Sequence, residues 1–235
     1  LPRNATPLIR NTKVPSRNRE KIGEARPPTS SRTKYRISEK REAARRMKKQ
    51  EFERAAWQVF STVGLDTATV RDIVNATSLS PGSFYNYFRT KEVIFDTLLD
   101  MVIARAKETI LLGRSDEDDL ETMLLKGYAA SFRELLSLHG AARFFELNQH
   151  HIRARLFGST AVRDMTEDLK TRLQTRIRSN AITPDKLALA VSIIFMAGLE
   201  GLLHISKNPF SDIEETARFT TALLTSGLLR GFSEP

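Results

Sequence analysis

From Ser38 onward, apolar residues recur three and four positions apart, the spacing of one face of an α-helix, and no stretch alternates as a half-buried strand does. Phe52, Ala56, Val59, Phe60 and Val63 form the first such face, with Gly64 as its stop. Val70, Ile73 and Val74 form a second, short face behind Thr69, which can make a capping box with Asp72 three residues on. Ser80 and Pro81 open a third: the hydroxyl accepts from an orphan backbone amide, and proline at the first helical position gives up only a donor that had no partner. Phe84 and Phe88 point inward from that helix, leaving Ser83, Tyr85, Asn86 and Tyr87 to face out. Two short helices joined by a tight polar turn, with hydroxyls, an amide and aromatic edges on the outer face, predict a helix-turn-helix suited to a DNA major groove.

A fourth helix starts at Thr90 or Lys91 and runs through Ile94, Leu98, Val102 and Arg105 towards Leu112. Ser115 with Asp118 makes a second capping box, opening a helix that holds Leu120, Leu124, Tyr128, Phe132 and Leu135. Ala141 to Leu156 and Thr160 to Ser179 continue the helical pattern. Thr183 caps and Pro184 opens a helix that is apolar on nearly every side from Leu187 to Ile205, so it needs two partners: its own core and a second subunit. Small residues there would let a neighbouring helix approach closely, and Ser211 with Glu214 boxes the start of a final helix. The two last helices are expected to form an intersubunit four-helix bundle through Leu187, Ala190, Ile194, Ala197, Gly198, Gly201, Leu224 and Leu228. The fold expected is all-α, with about nine helices.

Charge sharpens this picture more through its distribution than its total. The chain carries 37 Lys or Arg against 28 Asp or Glu, a net charge of +9. Residues 1–50 hold 16 basic and 4 acidic side chains, so +12 lies there and −3 in the remainder. Residues 1–37 include five prolines and few large apolar side chains, and are expected to be a disordered basic arm with a polyanionic partner. The absence of cysteine rules out disulfides and thiolate chemistry and fits a cytoplasmic protein. Zinc would have to rely on histidines and carboxylates, but His150 and His151 are adjacent and point about 100° apart on a helix, so no metal site and no cofactor are expected. Leu187 to Leu203 is interrupted by Ser192 and Glu200 and falls short of the roughly 20 residues of a bilayer span, so no membrane partner is expected. No GxGxxG, P-loop or nucleophile elbow occurs, and no paired carboxylates or Ser-His arrangement points to an enzyme.

The stretch AAWQVFSTVGLDTATVRDIVNATSLSPGSFYNYFRTKEVIFDTLL, residues 55–99, resembles the TetR family of bacterial transcriptional repressors. The resemblance implies an all-α homodimer, cytoplasmic and associated with the nucleoid, with a helix-turn-helix domain over residues 38–92 and a larger ligand-binding and dimerisation domain over residues 93–235. It further implies a double-stranded palindromic operator as partner, released by a small-molecule effector of apolar character. The alternative within the same resemblance is a DNA-binding or chromosome-organising protein without a ligand. By position, the resemblance assigns DNA contacts to Thr69, Val70, Arg71, Ser80, Gly82, Ser83, Tyr85, Asn86 and Tyr87, and a phosphate contact to Lys91. Ser78 stands in the turn where many members have glycine. For the effector, the resemblance turns polar and apolar core candidates into pocket residues: Met101, Arg105, Tyr128, Phe132, Phe144, Asn148, Met165, Phe195 and Leu199.

Overall fold

The computed structural model describes residues 31–176 and 183–231, with side chains over 39–175 and 183–226. The chain divides into two units, Leu1–Ala43 and Ala44–Pro235. Of the first, the described residues are helical and belong to helix α1, Ser31–Thr67, which therefore starts before Ser38; the rest of the expected basic arm lies outside the described residues. Within α1 the backbone breaks at Gly64, where φ is 76°, a left-handed conformation that favours glycine. Eight further helices follow among the described residues: α2 (Val70–Asn75), α3 (Pro81–Tyr85), α4 (Lys91–Leu112), α5 (Leu120–Leu136), α6 (Ala141–Arg155), α7 (Thr160–Arg176), α8 (Pro184–Lys207) and α9 (Ile213–Gly231). A short 3-10 turn, Leu156–Gly158, joins α6 to α7, and no strand is present among the described residues.

Side-chain oxygens that accept from orphan amides set most of the helix starts. Thr69 and Asp72 form the full capping box of α2, Ser80 caps α3, Thr90 caps α4 and Thr183 caps α8. Two starts differ from the expectation. The cap of α5 is Asp119, which accepts from the Thr122 amide at 2.7 Å, while Ser115 and Asp118 bond within the preceding turn. The cap of α9 is Asp212, accepting from the Glu215 amide at 2.7 Å, and not Ser211. In both cases an aspartate stands next to the helix and outcompetes the more distant serine.

Helices α2, α3 and the C-terminal part of α1 close around Phe52, Phe60, Ile73, Phe84 and Phe88, all buried, with Phe52 and Phe84 meeting edge to face at 5.4 Å. The end of α1 then docks on α6. The Trp57 ring stacks on Phe144 at 4.2 Å and its N–H donates to the His139 carbonyl at 2.7 Å. Asn148, wholly buried, accepts from the Leu65 amide at 2.7 Å and donates to the carbonyls of Phe60 and Phe144. This one amide satisfies polar groups on both sides of the Gly64 break.

Helix α8 packs against α5, α6, α7 and α9. It is the one helix among the described residues long and apolar enough to cross a membrane, yet Leu187, Ala190, Ile194, Leu199, Leu202 and Leu203 are buried within this fold. The small residues of α8 serve the subunit's own core: a Cβ on Gly198 would stand 2.7 Å from the Tyr128 ring, and one on Gly201 2.7 Å from Phe132. Of the residues expected at the intersubunit contact, Leu187, Ala190, Ile194, Gly198 and Gly201 thus face inward; Ala197 and Leu224 are half-buried, and the Leu228 side chain lies outside the described residues. The apolar side chains left outward are Leu189 and Ile193 on α8 and Phe219 and Leu223 on α9, each pair four residues apart on its helix.

Candidate functional site

The helix-turn-helix presents one polar edge. Thr69, Arg71, Ser80, Gly82, Tyr85 and Asn86 are exposed, Val70, Ser83 and Tyr87 half-buried. A Cβ on Gly82 would meet nothing, so its backbone is open to close approach. The Tyr85 ring stands 59% exposed although it packs edge to face on Phe84, so its outer rim is available to a partner. Tyr87 leans on Phe52, which divides it between core and surface. Arg89, which sequence reasoning passed over, is exposed just beyond this edge; neither it nor Arg71 forms a salt bridge with a described residue.

The turn without glycine is held from α1. Glu51 accepts from the Ser78 amide at 2.8 Å and from its hydroxyl at 2.9 Å, and these two bonds hold its carboxyl below the ordinary value of 4.5. Thr77 donates to the Val74 carbonyl and accepts from the Leu79 amide, closing the turn from inside. Asp72 is likewise held below its ordinary value, first by the Thr69 hydroxyl and then by its amide.

Lys91, for which the resemblance implied a phosphate contact, is bonded within the fold. Its ammonium donates to the carbonyls of Leu65 (2.8 Å), Asp66 (3.1 Å) and Ala68 (2.8 Å), so all three donors end on the chain that follows the Gly64 break. The residue caps the end of α1 and fixes the start of α4 against it.

An apolar cavity of about 180 Å³ lies between α4, α5, α6, α7 and α8. Of the pocket candidates, Tyr128, Phe132, Met165, Phe195 and Leu199 line it, together with Val102, Ile103, Phe145 and Ile194, the last of which was expected at the subunit contact. Four candidates do not line it. Met101 is half exposed on the outer side of α4; Arg105 is turned outward to Glu134; Phe144 is stacked between Trp57 and Phe95; Asn148 is the tie between α1 and α6. Helical spacing could not separate inward from outward here, because α4 and α6 each bury two faces. The Tyr128 hydroxyl donates to the Ile194 carbonyl at 2.7 Å, and burial pushes its pKa well above the ordinary 10.0.

His150 and His151 do converge, contrary to the expectation from their adjacency. Their Nε2 atoms meet the two carboxylate oxygens of Asp66 at 3.0 and 2.7 Å, and the His151 bond is the main cause holding that carboxyl below its ordinary value. Three ligand-type atoms thus lie within 4.8 Å of one another. The Arg155 guanidinium stands 3.2 Å from His151 Nδ1 and 2.7 Å from Asp96, a cation placed where a metal ion would need an uncharged or acidic neighbour. The cluster joins the end of α1 to α6 and, through Arg155, to α4.

A capped pair of short helices with an exposed reading edge, carried on a helix that leads into an apolar cavity, is the architecture of a helix-turn-helix regulator. Residues 54–98 match the family of bacterial regulatory proteins, tetR family. It is 28% identical over 98 residues to the HTH-type transcriptional repressor KstR2 of Rhodococcus jostii (strain RHA1); the match covers 40% of this chain and 46% of that relative, so it spans about half of the relative's length. The fold is similar to the fatty acid degradation regulator FadR from Bacillus halodurans (TM-score 0.61, 22% identity, 77% of this chain and 96% of that one). It is also similar to the transcriptional regulator FadR from Bacillus subtilis, solved in complex with stearoyl-CoA (TM-score 0.62, 21% identity, 76% and 98%).

Proposed function

We propose that the protein is a homodimeric transcriptional repressor of the bacterial cytoplasm and nucleoid that binds a palindromic operator and is released by a small apolar effector. Residues 38–92 read DNA, and residues 93–235 hold the effector and the partner subunit. The observation that carries this reading is the course of α4: Lys91 at its start is bonded to the end of α1, while Leu99, Val102, Ile103, Ala106 and Ile110 along it line the cavity. A ligand in the cavity that binds better to one setting of α4 shifts the reading heads by that difference in affinity and no more. The complex of Bacillus subtilis FadR with stearoyl-CoA supports an effector with a long apolar part.

On DNA, Tyr85 and Asn86 read base edges, the Asn86 amide being suited to adenine N6 and N7. Thr69, Ser80, Gly82 and Ser83 meet the backbone, and Arg71 and Arg89 supply charge beside it. The two heads sit roughly 34 to 36 Å apart on successive major grooves, and the basic residues of the N-terminal arm add phosphate contacts. Footprinting on genomic DNA tests the whole reading. A symmetric protected site is expected, its sequence preference altered by Tyr85→Ala or Asn86→Ala and its protection lost on adding extracted apolar metabolites. Protection without symmetry, or preference untouched by both substitutions, refutes it.

A further inference from the structure

Asp66 lies on the short stretch between the Gly64 break and Thr69, the cap of α2, and its carbonyl accepts from Lys91 at the start of α4. Its carboxylate stands on the seam between the helix-turn-helix and the rest of the fold. Both oxygens meet α6, Oδ2 with His150 Nε2 at 3.0 Å and Oδ1 with His151 Nε2 at 2.7 Å. Arg155 decides where the His151 proton sits. A guanidinium only donates, so His151 Nδ1, 3.2 Å from Arg155 Nη1, accepts, and the single proton of that ring lies on Nε2, given to Asp66.

A second proton could enter His151 only at Nδ1, against Arg155, which Asp96 of α4 holds in place at 2.7 Å. His150 is open to solvent, with 59% of its side chain exposed against 20% for His151. The two ring centroids are 4.0 Å apart, so two imidazoliums would repel. The pair therefore takes one proton, and His150 takes it. The surrounding charges admit that proton. On α6, Glu146, one turn before His150, is paired with Arg143, and Arg153, one turn after it, with Glu200 of α8. On α4, Asp96 is paired with Arg155, and Glu92 is held below its ordinary value of 4.5, first by the Thr90 hydroxyl. Asp66 is itself held below 3.8, first by the His151 bond, so it stays a carboxylate wherever an imidazole changes charge.

We infer that Asp66 and His150 form a proton-operated latch between the DNA-reading head and α6, in which a proton on His150 turns a neutral hydrogen bond into an ion pair. The operator and the proton then favour one another. Asp66 stands three residues before Thr69, where the DNA backbone is proposed to pass, and nearby phosphates favour a charged imidazole. By linkage, the proton favours DNA to the same extent. This second step rests on the head being the DNA reader; the latch itself does not.

Two measurements on the full chain, each at about pH 6 and about pH 8 and at one salt concentration, compare wild type with His150→Gln and Asp66→Asn. His150→Gln keeps a donor for Asp66 but cannot be charged, and Asp66→Asn keeps the histidine but removes its counter-ion. Both positions are exposed, so both variants should fold. The first measurement is amide hydrogen exchange at Leu65, which is bonded to Asn148 across the same seam, expressed as protection relative to the unfolded chain. Wild-type protection should be about two- to fivefold higher at the lower pH, the worth of one exposed ion pair, and the same at both pH values in each variant. The second is affinity for an operator fragment selected from genomic DNA. On going to the lower pH, wild type should gain about two- to fivefold more affinity than either variant. Protection that is flat in wild type, or that still rises in either variant, overturns the latch. Protection as expected with equal affinity gains in all three proteins overturns its link to DNA. A chain that binds no operator at either pH while its protection rises as expected overturns the DNA-reading function and bears out the latch alone.

Discussion

A lysine whose three donors all end on carbonyls of one chain turn is a structural cap before it is anything else, and Lys91 is such a residue. Lys91→Ala strands three acceptors at the seam between α1 and α4, and should lower unfolding stability by about 1–3 kcal/mol, read from denaturant midpoints. The slope of log operator affinity against log salt should stay as in wild type, since the three donors are already engaged on carbonyls of the chain. A slope shallower by roughly one, with stability intact, would return Lys91 to the phosphate backbone. Single polar residues were the least legible part of the sequence. Asn148 bonds Leu65 and Phe60, and Glu51 bonds Ser78, across separations of 83, 88 and 27 positions, and helical periodicity says nothing about which amide finds which carbonyl at that range. The reading edge was legible because its signals are local: Thr69 with Asp72, Ser80 with Pro81, and the four-residue spacing of Phe84 and Phe88.

Among the elements, the turn between α2 and α3 carries a pH dependence with a definite sign. Glu51 and Asp72 are both held below their ordinary values, 4.5 and 3.8, by hydrogen bonds that exist only in the folded head. Groups depressed on folding stabilise fully above the unfolded value, and that stabilisation disappears as pH falls through the lower folded value. Stability should therefore be flat above about pH 5.5 and decline below about pH 4.5, and Glu51→Gln should flatten part of that decline. An unchanged acid limb in that variant means that the Ser78 turn does not depend on the carboxylate. Helix α8 poses a different question, because its glycines read equally well as a subunit seam or as room for the aromatic rings of α5. A Cβ added at Gly198 or Gly201 would stand 2.7 Å from the Tyr128 or Phe132 ring, which favours room for the rings. Gly201→Ala should cost about 1–3 kcal/mol through overpacking and leave subunit association as it was; a dissociated but equally stable protein would place the seam at Gly201 after all. Sequence alone could not choose, because a helix apolar all round shows no preferred side.

At the scale of the molecule, the outward apolar side chains locate the surface on which a second copy is proposed to sit. Leu189 and Ile193 on α8 and Phe219 and Leu223 on α9 are 48–65% exposed, and the two helices that carry them pack together, which makes the outer side of the pair the proposed contact. A two-fold contact through this side would bury each group against its counterpart and form the four-helix arrangement expected from the sequence, in a register turned outward from Gly198 and Gly201. Leu189→Glu combined with Phe219→Glu should yield a folded monomer by light scattering, since neither position belongs to the subunit's own core. Operator affinity should then fall by about two to four powers of ten, because the second head no longer binds at the effective concentration that linkage gives it. The single heads should still show the wild-type preference for a half-site, which separates loss of linkage from damage to the reading edge. A double variant that remains dimeric moves the contact to another face, and one that becomes monomeric yet binds the full operator undiminished removes dimerisation from the mechanism.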